Sequence, residues 1–193
     1  MKKSVILVGV GGQGAILTAK ILVGGLIQKG YDVKMSEVHG MSQRGGSVST
    51  QVHFGDKVYA PVIGRGEADI MVAFEKMEAV RYAEFLKPDG VAVINDYAME
   101  SSATAAGLCE YPEGCVEAMR AAFRCHVLDA ASIAQSLGNP KCMNVVLFGA
   151  MCDSLGVEGI DWEEVVKETV PQKLVELNVK AFRAGREAAK AGK

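Results

Sequence analysis

An α/β fold, with a mostly parallel sheet between two layers of helices, is what three features of this sequence predict. The apolar run Val5-Ile6-Leu7-Val8 breaks straight into the turn Gly9-Val10-Gly11-Gly12-Gln13-Gly14 and then into helix-forming residues. Apolar runs at residues 31–38, 69–74, 91–94 and 125–128 then alternate with stretches of helical spacing. Residues 47–54 alternate strictly, which adds a β-hairpin to that plan.

Each element has its own warrant. Residues 15–29 have the apolar density of a helix lying on a sheet, and Gly30 ends it. The second strand, at 31–38, closes with Glu37-Val38-His39 and enters the loop Gly40-Met41-Ser42-Gln43-Arg44-Gly45-Gly46. In the run at 47–54, Val48, Thr50, Val52 and Phe54 share one face and Ser49, Gln51 and His53 the other, so the strand should be half exposed. Gly55-Asp56 predicts a hairpin turn into residues 57–60. Pro61 and Gly64-Arg65-Gly66 mark a loop before the buried strand at 69–74. An amphipathic helix at 75–86 ends at Lys87-Pro88-Asp89-Gly90, and the strand at 91–94 ends at Asn95-Asp96. Residues 98–112 carry little periodicity. Beyond them the spacing predicts a helix at 113–123, a short strand at 125–128 and a helix at 130–137 capped by Asp129. Residues 144–155 read as a buried helix, Asp161 caps a helix at 162–169, and Pro171 precedes a last helix at 172–189.

At 193 residues the chain is read as a single domain over 1–193. A formal net charge of -2 gives no electrostatic footprint for nucleic acid. No apolar run reaches membrane-spanning length, and no cleavage region follows the N-terminal apolar stretch, so a cytoplasmic location is expected. Cys109, Cys115, Cys125, Cys142 and Cys152 contain no C-x-x-C pair, which argues against a zinc or iron–sulfur site and points to reduced, mostly buried thiols. His39, His53 and His126 lack ligand spacing, so no metal site is expected.

Chemistry concentrates where the predicted strands end. Glycine permits the tight strand-to-helix turn, and the N–H groups at the helix start face outward with the positive end of the helix dipole, an anion pocket by construction. Arg44, a planar fork in a glycine-flanked loop, suits a phosphate or carboxylate, an acidic residue of another subunit, or an internal salt bridge. Glu75 and Asp96 could serve as an acid–base pair, although strand-end carboxylates more often cap the next helix. Glycines 9, 11 and 14 alone would fit a free-standing NAD(P)-dependent oxidoreductase with Glu37 on the ribose. They equally fit a non-catalytic interaction subunit whose turn packs on protein.

A longer set of residues narrows the choice. Gly9 to Gly14, Ser36-Glu37-Val38-His39-Gly40-Met41-Ser42-Gln43-Arg44-Gly45-Gly46-Ser47-Val48, Gly66-Glu67-Ala68-Asp69 and Ala73-Phe74-Glu75 together resemble the gamma-type domain of the 2-oxoacid:ferredoxin oxidoreductases, in their indolepyruvate branch. The similarity runs on through Leu86-Lys87-Pro88-Asp89-Gly90, Asn144 to Ala150 and Glu176 to Phe182. The fold the resemblance implies is Rossmann-like and three-layered, a mostly parallel sheet plus a β-hairpin with helices on both faces. The implied activity is oxidative decarboxylation of an aryl-pyruvate to an acyl-coenzyme A, with release of CO2 and reduction of ferredoxin. Thiamine diphosphate, its Mg ion and the iron–sulfur clusters belong, on this resemblance, to a larger alpha subunit, as does the pocket for the substrate side chain. The sequence agrees, having no Gly-Asp-Gly segment for a thiamine-bound metal and no grouped cysteines. This chain is then inactive alone and completes the assembly. Gly11, Gly12, Gln13, Gly14, Ser42, Arg44 and Gly45 are its expected contacts to coenzyme A, no catalytic residue is assigned, and without its partner it is free to pair with itself.

Overall fold

The structure, a computed structural model, describes residues 2–39, 45–100 and 102–191. In chain order it comprises β1 (Lys2–Val10), α1 (Ala15–Gln28), β2 (Asp32–His39), β3 (Ser47–Gly55), β4 (Ala68–Ala73), α2 (Lys76–Arg81), β5 (Leu86–Asn95), α3 (Ser102–Ala105), α4 (Cys115–Ala122), β6 (Arg124–Leu128), α5 (Ala130–Ser136), α6 (Met143–Cys152), α7 (Trp162–Thr169) and α8 (Val175–Ala191). The strands form one six-stranded sheet in the order β2-β3-β1-β4-β5-β6. β1, β4, β5 and β6 run parallel, and β3 is antiparallel to both of its neighbours. The chain winds one way from β1 and the other way from β4, so their carboxyl ends flank the topological switch point.

Because β1 is covered on both faces, it is a continuous apolar run rather than an alternating one. Val5 and Leu7 face the layer of α1, α6, α7 and α8, while Ile6 and Val8 face a smaller cluster with Ile63, Ala79 and Met119 from the α2 and α4 side. Burying an Ile or Leu side chain of this kind contributes roughly 1.5–3 kcal/mol. In the larger layer, Phe148 packs edge-on to Trp162 with ring centres 5.3 Å apart and lies 5.8 Å from Phe182.

Two expectations are corrected. Residues 57–60 do not form a strand: β3 is inserted between β2 and β1, pairing with both along its whole length, so neither of its edges is open. The antiparallel hairpin is therefore β2–β3. The chain after Gly55 instead folds over the sheet, where Ile63 N–H donates to Gln51 Oε1 at 2.6 Å and His53 Nδ1 lies 2.9 Å from the Ala60 carbonyl. Ser49, Gln51 and His53 are all buried, the latter two hydrogen-bonded by that cover, so the alternation at 47–54 does not mark a half-exposed strand. The predicted helix at 75–86 is also shorter, because Leu86 already pairs with Ala68 in the sheet and Lys87 to Gly90 bulge out before pairing resumes at Val91.

Candidate functional site

The glycine turn sits at the carboxyl end of β1, at the switch point. Gly12 and Gly14 adopt φ of +105° and +88°, which a side chain would strain, and Gly14 caps α1 with no side-chain cap bond. A Cβ on Gly14 would also lie 2.6 Å from Asn144 Nδ2. That amide instead donates to the Gly14 carbonyl at 3.2 Å, and Thr18 Oγ1 donates to the Asn144 carbonyl at 3.3 Å, locking α1 to α6 at their starts. Asn144 is buried, and its Oδ1 has no partner among the described residues. Its signal was visible in the sequence as the lone polar residue in Met143 to Met151.

The turn uses some of its own donors. Gly11 N–H bonds the Gly46 carbonyl at 2.8 Å, Gly45 N–H bonds the Gly11 carbonyl at 3.3 Å, and Gln13 N–H bonds the Val10 carbonyl at 3.2 Å. The N–H groups of Gly12 and Gly14 have no backbone acceptor among the described residues, and they join the orphan first-turn donors of α1. The Gln13 side chain points inward: Oε1 accepts from Val10 N–H at 2.8 Å and Nε2 donates to the Phe74 carbonyl at 3.2 Å. It bridges the ends of β1 and β4 and so occupies the switch-point crevice itself. A Cβ on Gly9 would meet this amide oxygen at 2.7 Å and the Cβ of Phe74 at 2.9 Å, so the position has no room for a side chain.

Of the residues expected to contact coenzyme A, Gly11, Gly12, Gln13, Gly14 and Gly45 are thus brought together; Ser42 and Arg44 lie outside the described residues. A cavity of about 450 Å³ opens on one side of the turn, lined by Gly11 to Ile16, Glu37 to His39 and Val48 to Thr50. Glu37, at the end of β2, shares it. A second cavity, of about 530 Å³, opens on the other side, between the turn, Tyr97, Met99 and the start of α6.

Glu75 and Asp96 are not an acid–base pair. Glu75 is fully buried and caps α2, accepting from Glu78 N–H at 2.9 Å, from Met99 N–H at 3.2 Å and from the Tyr111 hydroxyl. Burial and this carboxylate hold the Tyr111 phenol far above its ordinary range. Asp96 is half exposed and paired with Lys76 at 3.1 Å. Asn95, equally buried, donates to the Phe74 carbonyl at 3.1 Å and to Met143 Sδ at 3.0 Å, and accepts from Ala130 N–H at 3.0 Å. Glu78, a second buried carboxylate that the sequence reading passed over, accepts from Ser47 Oγ at 2.5 Å and Arg81 Nε at 3.0 Å. Its position three residues after Glu75, in the first turn of the helix, was the available signal.

All five cysteines are free, and burial raises the Cys115, Cys125, Cys142 and Cys152 thiols. Among the described residues there is no group of three or more metal-binding side chains, and no helix is long and apolar enough to cross a membrane.

A sheet with helices on both faces, and an amide-lined glycine turn at its switch point between two cavities, defines a doubly wound α/β protein. The comparisons with known proteins narrow it. Residues 4–188 match the family described as pyruvate ferredoxin/flavodoxin oxidoreductase, and the chain belongs to that family. It is 38% identical to indolepyruvate oxidoreductase subunit IorB of Archaeoglobus fulgidus, over 100% of this chain and 98% of that protein. Among solved structures it superimposes on the gamma subunit of a keto/oxoacid ferredoxin oxidoreductase from Geobacter sulfurreducens with a TM-score of 0.74 and 26% identity, covering 98% of this chain and 99% of the other. It matches 31% of a longer 2-oxoglutarate:ferredoxin oxidoreductase chain from Magnetococcus marinus with a TM-score of 0.75; at 18% identity this is a likeness of fold. The chain is therefore a subunit of the 2-oxoacid:ferredoxin oxidoreductase class, acting on an oxo group, and its relatives are small subunits of multi-subunit complexes.

Proposed function

We propose that this chain is the single-domain, gamma-type subunit of an aryl-pyruvate oxidoreductase, with indolepyruvate as the representative substrate. The full enzyme would oxidatively decarboxylate the oxoacid, transfer the acyl group to coenzyme A and pass electrons to ferredoxin. The observation that carries this reading is end-to-end similarity to a protein named as an indolepyruvate oxidoreductase subunit. Thiamine diphosphate, Mg and the iron–sulfur clusters are assigned to a larger alpha subunit. In support, this chain has no Gly-Asp-Gly segment and, among its described residues, no metal-binding cluster.

Coenzyme A is assigned to the glycine turn. Among the described residues the N–H groups of Gly12 and Gly14, at a helix N-terminus, have no backbone acceptor, and a phosphate oxygen there would accept from both and meet the positive end of the dipole. Ser42 and Arg44 shortly precede Gly45 and Gly46 in the sequence, and both of those glycines are bonded to Gly11. Gln13 would act from behind, holding the turn's shape rather than touching ligand.

The test is reconstitution with the co-expressed large subunit. The complex should release electrons to ferredoxin or a viologen dye only when oxoacid and coenzyme A are both present, and neither chain should do so alone. Turnover by this chain alone, with NAD(P), would restore the free-standing dehydrogenase reading. Coenzyme A titration of wild type against Arg44→Ala tests the finer assignment: removing a charged phosphate contact should weaken binding by roughly tenfold or more. Equal affinities would remove Arg44 from that role.

A further inference from the structure

Two carboxylates are buried around the start of α2, and the fold uses them differently. Glu75 caps its own helix and holds Met99 and Tyr111. Glu78, only 2% exposed, reaches instead to the sheet, where it accepts from Ser47 Oγ at 2.5 Å, with the Tyr82 hydroxyl 3.4 Å from the same Oγ. Keeping a carboxylate out of water is costly, and a hydroxyl that donates to it makes a stronger bond than a neutral pair does. Ser47 opens β3 and faces Val10, in the last pair of the β1–β3 ladder. Strand ends fray. Beyond this pair the chain is held to the glycine turn by Gly11 N–H on the Gly46 carbonyl at 2.8 Å and by Gly45 N–H on the Gly11 carbonyl at 3.3 Å. The second of these bonds sets a direction. The peptide joining Gly11 to Gly12 is trans, so its C=O and N–H point opposite ways. With the carbonyl turned to Gly45, the Gly12 N–H is turned away from that loop end, where it has no backbone acceptor among the described residues.

We propose that Glu78 is a positioning residue: through Ser47 it holds Gly45 and Gly46 against Gly11, and so aims the Gly12 N–H at a phosphate of coenzyme A. The inference rests on the coenzyme A reading of the turn. It adds the residue that fixes the donor's direction, on another element and itself buried away from ligand. Gln13 secures the same turn from the β4 side, so the turn is fixed on two flanks. Donors held in place before the ligand arrives lose no freedom when it binds, which is what turns an exposed amide into an effective anion contact.

Ser47→Ala removes the hydroxyl and leaves the backbone ladder in place. In the ¹⁵N-labelled full chain it should speed exchange of the Gly45 N–H about tenfold and shift the Gly12 amide resonance, while Ser4 and Asp69, at the other end of the sheet, exchange as in wild type. In the complex with the large subunit it should raise KM for coenzyme A about tenfold, with kcat and KM for the oxoacid unchanged within about twofold. Ser47→Thr, which keeps the hydroxyl, should restore both readouts. Arg81→Gln removes the other side chain on the Glu78 carboxylate, a contact of 3.0 Å, without touching Ser47, and should move neither. A merely structural Glu78 would lower Tm in these variants without that split between coenzyme A and oxoacid. A wild-type KM for coenzyme A in Ser47→Ala, or an equal rise in Arg81→Gln, overturns the inference. If coenzyme A leaves the Gly12 and Gly14 amides of the wild-type chain unmoved, the coenzyme A reading falls, and selective loss of Gly45 protection in Ser47→Ala still upholds the clamp on the turn.

Discussion

Gln13 shows how a residue can read as ligand-binding in sequence and prove architectural in three dimensions. Its amide joins the β1 end to the β4 end through two hydrogen bonds. Gln13→Ala should therefore cost about 1–3 kcal/mol, read as a lower urea midpoint with unchanged slope. Asp69 contributes to the acid side of stability. Burial pushes its carboxyl up, but the Lys87 ammonium at 2.5 Å and the Ser4 N–H at 2.8 Å outweigh this and hold it below its ordinary value. Because its folded pKa is lowered, the contribution is complete above the ordinary Asp range and is lost as pH falls through the folded pKa. Asp69→Asn should flatten the fall in Tm between about pH 5 and pH 3 and lower Tm at pH 7. A variant whose acid limb superimposes on wild type would remove Asp69 from that role.

Where two helices touch, glycine decides the distance. A Cβ on Gly149 of α6 would lie 2.1 Å from the Phe182 carbonyl oxygen, and a Cβ on Gly185 of α8 would lie 1.9 Å from the Val146 carbonyl oxygen. The contact is reciprocal and involves backbone on both sides, so rotamer changes cannot relieve it. Gly149→Ala or Gly185→Ala should destabilise by about 3 kcal/mol or more, despite the helix propensity gained, and lower Tm by roughly 6–12 °C. Thermal unfolding followed by circular dichroism decides it. The helices themselves were legible in the sequence, from Asp129 and Asp161 as caps and the Met143–Cys152 run, apolar but for Asn144. Their mutual approach was not, since a glycine's reason lies in the element it meets. The alternating 47–54 run misled for a related reason: periodicity records two chemically different faces, but not that the segment just after the strand turns back to cover the polar one. The glycine turn could be placed from the sequence because strand, turn and helix are consecutive there. The second cavity could not, because its walls come from segments dozens of residues apart.

At the scale of the whole molecule, the two ends of the sheet differ in kind. Both cavities that flank the glycine turn open at the carboxyl ends of the parallel strands. The opposite end is a set of charged groups satisfied within the chain: Lys3 donates to the Leu155 carbonyl at 2.7 Å and Lys87 pairs with Asp69. If thiamine chemistry resides in a larger subunit and coenzyme A binds at this turn, as proposed above, the acyl group must pass between the two without reaching water, so the carboxyl end is the one to be covered. Peptide-level hydrogen exchange of the assembled complex against the free chain should accordingly show new protection in Gly12 to Ile16, Tyr97 to Met99 and Pro140 to Met143, on the timescale of exposed amides. Peptides spanning Lys2 to Ser4 and Glu67 to Asp69 should exchange alike in both. Protection confined to that amino end would put the partner on the wrong side of the sheet for transfer of an acyl group, and would reduce the glycine turn to a structural corner.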